Sequence, residues 1–345
     1  MSVIDRLLAK AGDRPRPIAA TIELTARCPL RCCHCYVHRD KPERLSVPVL
    51  TRLFDDLREL GGLFLSLTGG EVALRPDLDA VIAAARQRHF SVTLLSSGTL
   101  WHERDWDMLA ALGVDAVRMS VYAAGSEVHD RVTGVPGSHA RTLASARGLV
   151  ERGVEVAFSC PMLSLNIEQV GDVATLATEI GVGLTLDPTI TWTERGDPHP
   201  SVWRATPAAL ARVLGNPRLD ALAPVAKATS SRSGSDAPCR AGRSMVFVDA
   251  AADVRPCANW PQASGNLERD TFARIWSSDA ELERARRLTD ADLAGCVGCE
   301  LRRVCVPCPA MNLQEMGTFA RPARAVCDRA WAARRAGRAP WFSSG

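Results

Sequence analysis

The sequence has no excess of charge: 42 lysine and arginine residues stand against 39 acidic ones, leaving a net charge of +3. Such a balance offers no electrostatic footprint for DNA or RNA, so no nucleic-acid partner is expected. No apolar run approaches the roughly 18 residues that a membrane-spanning helix needs, so no membrane partner is expected either. Residues 1–16 lack the apolar stretch of a secretory signal, which makes the cytoplasm the expected compartment. No internal repeat is visible beyond a strand-helix unit. Cysteine, by contrast, is plentiful, at 12 of 345 residues. The cytosol keeps thiols reduced, and a chain this long needs no covalent staples, so a disulfide framework explains these residues poorly. Metal or metal-sulfur ligation becomes the leading explanation.

A hydrophobic content of 46% and a charged content of 23% suit one large core with a smaller annex, hence two domains. The cysteines fall into two groups, Cys28 to Cys35 and Cys239 to Cys327, with only Cys160 between them. Between the groups, short apolar runs at 19–24, 63–68, 92–96, 116–122, 155–162 and 183–190 predict strands. Amphipathic stretches at 47–60, 77–88, 103–112, 140–152 and 167–180 predict one helix in each gap. Ser46 and Asn166 stand where N-cap side chains would accept from the first turn. Strands alternating with helices imply an α/β fold with a parallel sheet, here a partial (β/α)6 barrel, with chemistry at the C-terminal ends of the strands. A further helix is expected at 206–214. The expected plan is a terminal segment 1–16, a barrel 17–225, a Ser-rich linker 226–238, a small cysteine-rich domain 239–330 and a tail 331–345.

Cys28, Cys32 and Cys35 form a C-x3-C-x2-C array directly after the first strand. Chance produces such an array only about 0.015 times in a chain of this composition. Structural zinc is the plain competitor, but closed zinc sites take four ligands, and this loop offers three spaced thiols plus His34. A cluster held by three cysteines keeps one iron open to an outside molecule, and iron-sulfur potentials reach low enough for difficult one-electron reductions. At these residues the chain resembles the radical S-adenosylmethionine (SAM) superfamily, with His34 at the ring position before the last cysteine. The resemblance implies a 4Fe-4S cluster, bound S-adenosylmethionine and a 5'-deoxyadenosyl radical that abstracts hydrogen from unactivated carbon. It extends to Thr68-Gly69-Gly70-Glu71, which matches the family's GGE motif at the second strand's end, where backbone and carboxylate meet the cofactor's amino group. Glycine there permits close backbone approach. Ser97, beside Gly98, and Ser120 occupy further strand ends where relatives contact the cofactor, and Arg131 would offer a charge to its carboxylate. Cys33 and Cys160 read as spare or core thiols.

The second group includes Cys296, Cys299, Cys305 and Cys308, followed by Cys327 and preceded by Cys239 and Cys257. Paired C-x2-C units also occur in zinc ribbons. Order and gaps resemble the SPASM extension, which implies two auxiliary iron-sulfur clusters. In that pattern Cys296, Cys299, Cys305 and Cys327 hold the second, while Cys239, Cys257 and Cys308 hold the first and leave one of its positions without a cysteine. Two departures stand out: Cys305 and Cys308 are one residue closer than usual, and Ala252 occupies a hairpin position usually held by glycine.

Relatives with this double architecture mostly modify ribosomally made peptides by cross-linking, oxidation or epimerisation. The segment from Ser120 through Gly137 is similar to the branch that includes the PQQ precursor cross-linking enzyme. The resemblance thus implies a precursor peptide as substrate and a one-electron reductant. Residues 1–16 are too short for a leader-binding domain, so leader recognition, where it occurs, is expected to need a separate leader-recognition protein or another surface of this chain. Two alternatives stand beside this: modification of a small molecule such as a tetrapyrrole, and a non-enzymatic, zinc-held interaction protein. Asp187, Glu194 and Arg195 lie near or beyond the sixth strand's end, without an assigned catalytic role.

Overall fold

A computed structural model describes residues 14–219 and 237–337. Most of the expected linker 226–238, and parts of the segments 1–16 and 331–345, lie outside the described residues. Six strands come in the predicted order, with helices between them: β1 (Ala19–Glu23), α1 (Val47–Glu59), β2 (Phe64–Thr68), α2 (Leu78–Gln87), β3 (Ser91–Ser96), α3 (Glu103–Ala111), β4 (Ala116–Ser120), α4 (Ser126–Thr133), α5 (Ser138–Glu151), β5 (Glu155–Pro161), α6 (Val170–Ile180) and β6 (Gly183–Asp187). Each strand pairs in parallel with the next, and β6 ends the row rather than returning to β1. The result is an open, partial (β/α)6 barrel.

The gap between β4 and β5 holds two helices where one was predicted. Gly134, at φ 68°, ends α4, and Gly137, at φ 75°, precedes α5. The polar residues of α4 hide its helical character, because only Val128, His129, Val132 and Thr133 turn inward.

Strand alternation gives the sheet two different faces. Ile22, Leu65, Leu67, Val92, Leu94, Val117, Met119, Phe158 and Leu184 are buried in the core that the helices share. Each such side chain contributes roughly 1.5–3 kcal/mol through burial. The opposite face carries Thr21, Ser66, Thr93, Ser120, Ser159 and Thr185, all only half-buried. Parallel sheets are usually covered on both sides. Here the inner face is small, polar and partly open, as a chamber requires.

Beyond β1 the sheet continues. β7 (Met245–Val248) lies parallel on the free edge of β1, with Ala19 opposite Met245, and β8 (Asp253–Arg255) and β9 (Gly265–Asn266) add antiparallel strands. The barrel and the cysteine-rich region therefore share one nine-stranded sheet. Ala252, where glycine was expected, has φ 67° in the β7–β8 turn. An L-residue in this left-handed region carries about 1 kcal/mol of backbone strain. Its N–H donates to the Asp249 carbonyl at 2.9 Å. The remaining helices are α7 (Pro207–Leu214), α8 (Phe272–Ser278), α9 (Ala280–Arg287), α10 (Pro309–Met316) and α11 (Arg324–Arg335). α11 packs on α7 and runs past residue 330. Among the described residues no helix is long and apolar enough to cross a membrane.

The two expected caps differ from the prediction. Ser46 occupies the N-cap of α1, but its side chain makes no capping bond; Pro48 in the first turn lacks an N–H to offer. Asn166 precedes a short 3-10 turn and caps nothing. Its amide is fully buried, donating to the carbonyls of Tyr122 and Pro161, each at 2.9 Å, while Oδ1 accepts from Leu163 N at 2.7 Å. The side chain thus ties together the segments that follow β4 and β5.

Candidate metal and cofactor site

The cysteine loop leaves β1 and immediately presses on the turn after β2. Gly70 N donates to Thr25 O at 2.7 Å and Glu71 N to Arg27 O at 2.8 Å. A Cβ on Gly69 would lie 2.3 Å from Thr25 O, and one on Gly70 would lie 2.3 Å from Arg27 O. The two glycines therefore answer first to the cysteine loop, whose backbone occupies the space a side chain would need. Gly70→Ala should displace that loop. We expect the protein to fold but to bind about four fewer iron atoms than wild type after anaerobic reconstitution, read by iron analysis and circular dichroism. Full iron content would contradict this account of the glycine.

Glu71 is fully buried. One carboxylate oxygen accepts from Ser96 Oγ at 2.6 Å and Ala73 N at 3.2 Å; the other accepts from Ser97 N at 2.8 Å and from Ser97 Oγ. Through these bonds the side chain joins the ends of β2 and β3. Ser97 Oγ is engaged in the same network.

Cys28, Cys32 and Cys35 lie together on the loop, half-buried and within electrostatic reach of one another. Burial raises the Cys28 thiol to about 11 and the Cys32 thiol to about 12, with the neighbouring thiols adding to the effect. A cleft of about 440 Å³ adjoins them, bordered by Cys32, Cys35 and Arg39 on one side and Thr193, Arg195 and Asp197 on the other. His34 stacks edge-on against Tyr122 at 5.2 Å between ring centroids, and the Tyr122 hydroxyl lies 4.0 Å from Cys32 Sγ. Burial lowers the His34 pKa to about 4, and its Nδ1 is buried without a partner. An outside group is one way to satisfy such an atom. The loop is also braced by α4: Arg31 N donates to Thr133 O at 2.7 Å and Cys33 N to Val132 O at 3.1 Å. Ser120 bonds Tyr122, whereas Arg131 is exposed on α4. Cys33 packs beside Tyr122 and Val132, and Cys160 is fully buried near Asn166.

Sequence reasoning missed Lys41. Its ammonium is almost buried between Glu23, at the end of β1, and Glu194, which it meets at 2.8 Å. Burial, reinforced by the Glu194 charge, raises Glu23 to about 7. Glu194 also accepts from His38 N at 3.0 Å, so it anchors the cysteine loop and is committed to that ion pair. Arg195 borders the cleft. Asp187 has accessible surface at the barrel mouth, yet crowding by surrounding protein raises its pKa.

The later cysteines separate into two groups. Cys257 feels Cys308 and Cys239, while Cys305 feels Cys296 and Cys327, and Cys327 in turn feels Cys296 and Cys299. Among the described residues no three His, Cys, Asp or Glu side chains converge on a point suited to one metal ion. Trp260 and Phe319 pack beside Cys257 and Cys308. This region is bonded to the segment that follows β6: Gln314 Nε2 donates to Thr193 O at 2.8 Å, Arg204 pairs with Glu315 at 2.5 Å, and Arg329, which also donates to Val306 O within its own region at 2.8 Å, donates to Thr189 Oγ1 at 2.5 Å.

Residues 22–177 match the radical SAM superfamily, and residues 239–300 match SPASM, an iron-sulfur cluster-binding domain. An AdoMet-dependent heme synthase of Methanosarcina barkeri is 27% identical over 336 residues, covering 89% of this chain and 95% of that protein. A PqqA peptide cyclase of Ruegeria pomeroyi is 34% identical over 170 residues, covering 48% of this chain and 46% of the cyclase. The chain thus spans nearly all of the first relative and less than half the length of the second. In fold, the crystal structure of Streptococcus suis SuiB bound to precursor peptide SuiA superposes with a TM-score of 0.72 at 16% identity, covering 93% of this chain and 78% of that one.

Proposed function

Because the chain is a radical SAM protein with a C-terminal SPASM domain, we propose that it abstracts hydrogen from a ribosomally made peptide and leaves a cross-link, an oxidised side chain or an epimerised centre. Together, the 4Fe-4S cluster and S-adenosylmethionine supply the hydrogen-abstracting chemistry. Cys28, Cys32 and Cys35 would hold the cluster; their loop position and the unpartnered His34 nitrogen support this assignment. The backbone of Gly69 and Gly70, with His34, Glu71, Ser97, Ser120 and Arg131, would form the cofactor's surroundings. Glu71 would also keep two strand ends in register through its bonds to Ser96 and Ser97. Cys239, Cys257 and Cys308 would hold one auxiliary cluster, and Cys296, Cys299, Cys305 and Cys327 the other. The barrel at 17–225 and the auxiliary region at 239–330 would be two functional units on one continuous sheet. A one-electron reductant, a separate leader-recognition protein and a cytoplasmic location complete the reading.

The observation that carries it is the cysteine-rich region bonded to the segment after β6, whose Thr193 borders one cleft with Cys32 and Cys35 of the three-thiol loop. The peptide cyclase relative gives this reading its substrate class. A second reading, modification of a tetrapyrrole, is favoured by the nearly full-length likeness to the heme synthase. Incubating reconstituted protein with S-adenosylmethionine, reductant and a candidate precursor peptide in deuterated solvent should change the peptide's mass, by solvent deuterium if a centre is epimerised. Cofactor cleavage with an unaltered peptide would reject that peptide, and turnover of a tetrapyrrole instead would establish the second reading.

A further inference from the structure

The inner face of the six-stranded run carries one charged side chain in mid-sheet whose role the cofactor site leaves unexplained. β4 presents Ala116, Arg118 and Ser120 to this face, alternating with the buried Val117 and Met119. Register places Arg118 in a row with Leu95, Ala157 and Gly183. It lies two residues below the end of β4, a depth of about 7 Å at roughly 3.3 Å per residue. Toward β5 and β6 the row is nearly bare: Ala157 has only a methyl group, and Gly183 has no side chain. The next row toward the strand ends holds the hydroxyls of Ser120, Ser159 and Thr185.

Arg118 is half-buried, and its side chain makes no hydrogen bond or ion pair among the described residues. The hydroxyls of Ser159 and Thr185 likewise make none. By contrast, Glu23 at the end of β1 is paired with Lys41. A guanidinium offers five donors in a planar fork that matches a carboxylate, and removal from bulk water strengthens the match. Arg118 therefore has a cation, nearby donors and unfilled space beside it, but no anion from the protein.

We propose that Arg118, with Ser159 and Thr185, forms a subsite for a substrate carboxylate, so that the peptide handled here presents an acidic side chain within the barrel. The proposal rests on the reading of the open inner face as the substrate chamber. Ala157 and Gly183 form the floor that admits the acidic side chain. Gly183→Val would fill that floor without altering any charge; an added Cβ already comes within 3.3 Å of the Ala157 Cβ.

The test uses full-length, cluster-loaded protein with S-adenosylmethionine bound, titrated at low salt with N-acetylglutamate amide and its neutral counterpart, N-acetylglutamine amide. Wild type should bind the charged probe at least about tenfold more tightly, as a charge-assisted bidentate pair implies. Arg118→Gln should abolish that preference, Arg118→Lys should keep part of it, and Gly183→Val should weaken both probes, with affinity for S-adenosylmethionine unchanged throughout. Equal binding of the two probes to wild type, or a preference that survives Arg118→Gln, would overturn the subsite. So would weaker binding of S-adenosylmethionine to Arg118→Gln, which would assign the arginine to the cofactor's own carboxylate. Release of 5'-deoxyadenosine separates the two levels: cleavage without carboxylate preference removes only the subsite, whereas absent cleavage removes the enzymatic reading beneath it.

Discussion

Cys32→Ala should abolish cleavage of S-adenosylmethionine, with reductant-dependent release of 5'-deoxyadenosine falling at least about 10³-fold and bound iron falling by about four atoms. The size of the effect follows from the ligand count. If the three thiolates hold a cluster that leaves one position for the cofactor, as proposed, none of them can be spared. Cys32 also has a defined neighbour, with Tyr122 Oη at 4.0 Å from its sulfur. Its replacement removes a ligand at the centre of the packed loop. Alanine fills less volume than cysteine, but the loop remains held by the backbone bonds of Arg31 and Cys33 to α4 and of Gly70 and Glu71 to Thr25 and Arg27. The variant is therefore expected to fold, and circular dichroism with a thermal melt checks this. Near-normal cleavage in Cys32→Ala would refute the ligand assignment.

Cys299→Ala should produce the opposite pattern. Cofactor cleavage is expected to stay within about twofold of wild type, while modification of the precursor peptide falls at least about 100-fold and iron again falls by about four atoms. Cys299 is exposed and belongs to the second C-terminal group, on the cysteine-rich region. Exposure makes it a better choice than Cys257, which packs against Trp260 and Phe319 and whose loss would disturb a hydrophobic cluster. The expected separation of cleavage from modification follows if the auxiliary clusters handle the substrate's electron after hydrogen has been removed. Parallel loss of both activities would place Cys299 in the support of the barrel instead.

The strands were legible because their apolar runs recur at helix-spaced intervals, and the outer-face residues from Ile22 to Leu184 bear this out. The cysteine groups were legible from spacing. Other features depend on contacts that join distant parts of the chain. α4 escaped notice because much of its surface is polar. Asn166 looked like a cap, yet its amide is consumed by carbonyls 44 and 5 residues away. Gly69 and Gly70 read as a cofactor motif, but their packing against the backbone oxygens of the cysteine loop, which leaves no space for a Cβ, joins segments distant in the chain. Lys41 and Glu194 are 153 residues apart, and no local pattern announces their pairing. The addition of β7 to the edge of β1 is equally non-local, which is why a boundary read from composition crosses a continuous sheet. Ala252 was visible as a departure, and its positive φ gives that departure a physical meaning.

The most direct test of the central claim is to incubate the anaerobically reconstituted protein with S-adenosylmethionine and a one-electron reductant, then quantify 5'-deoxyadenosine by chromatography. Cys28, Cys32 and Cys35 holding an open-iron cluster predict reductant-dependent release of 5'-deoxyadenosine together with methionine. No release from protein that contains stoichiometric zinc and no labile sulfide would contradict the account.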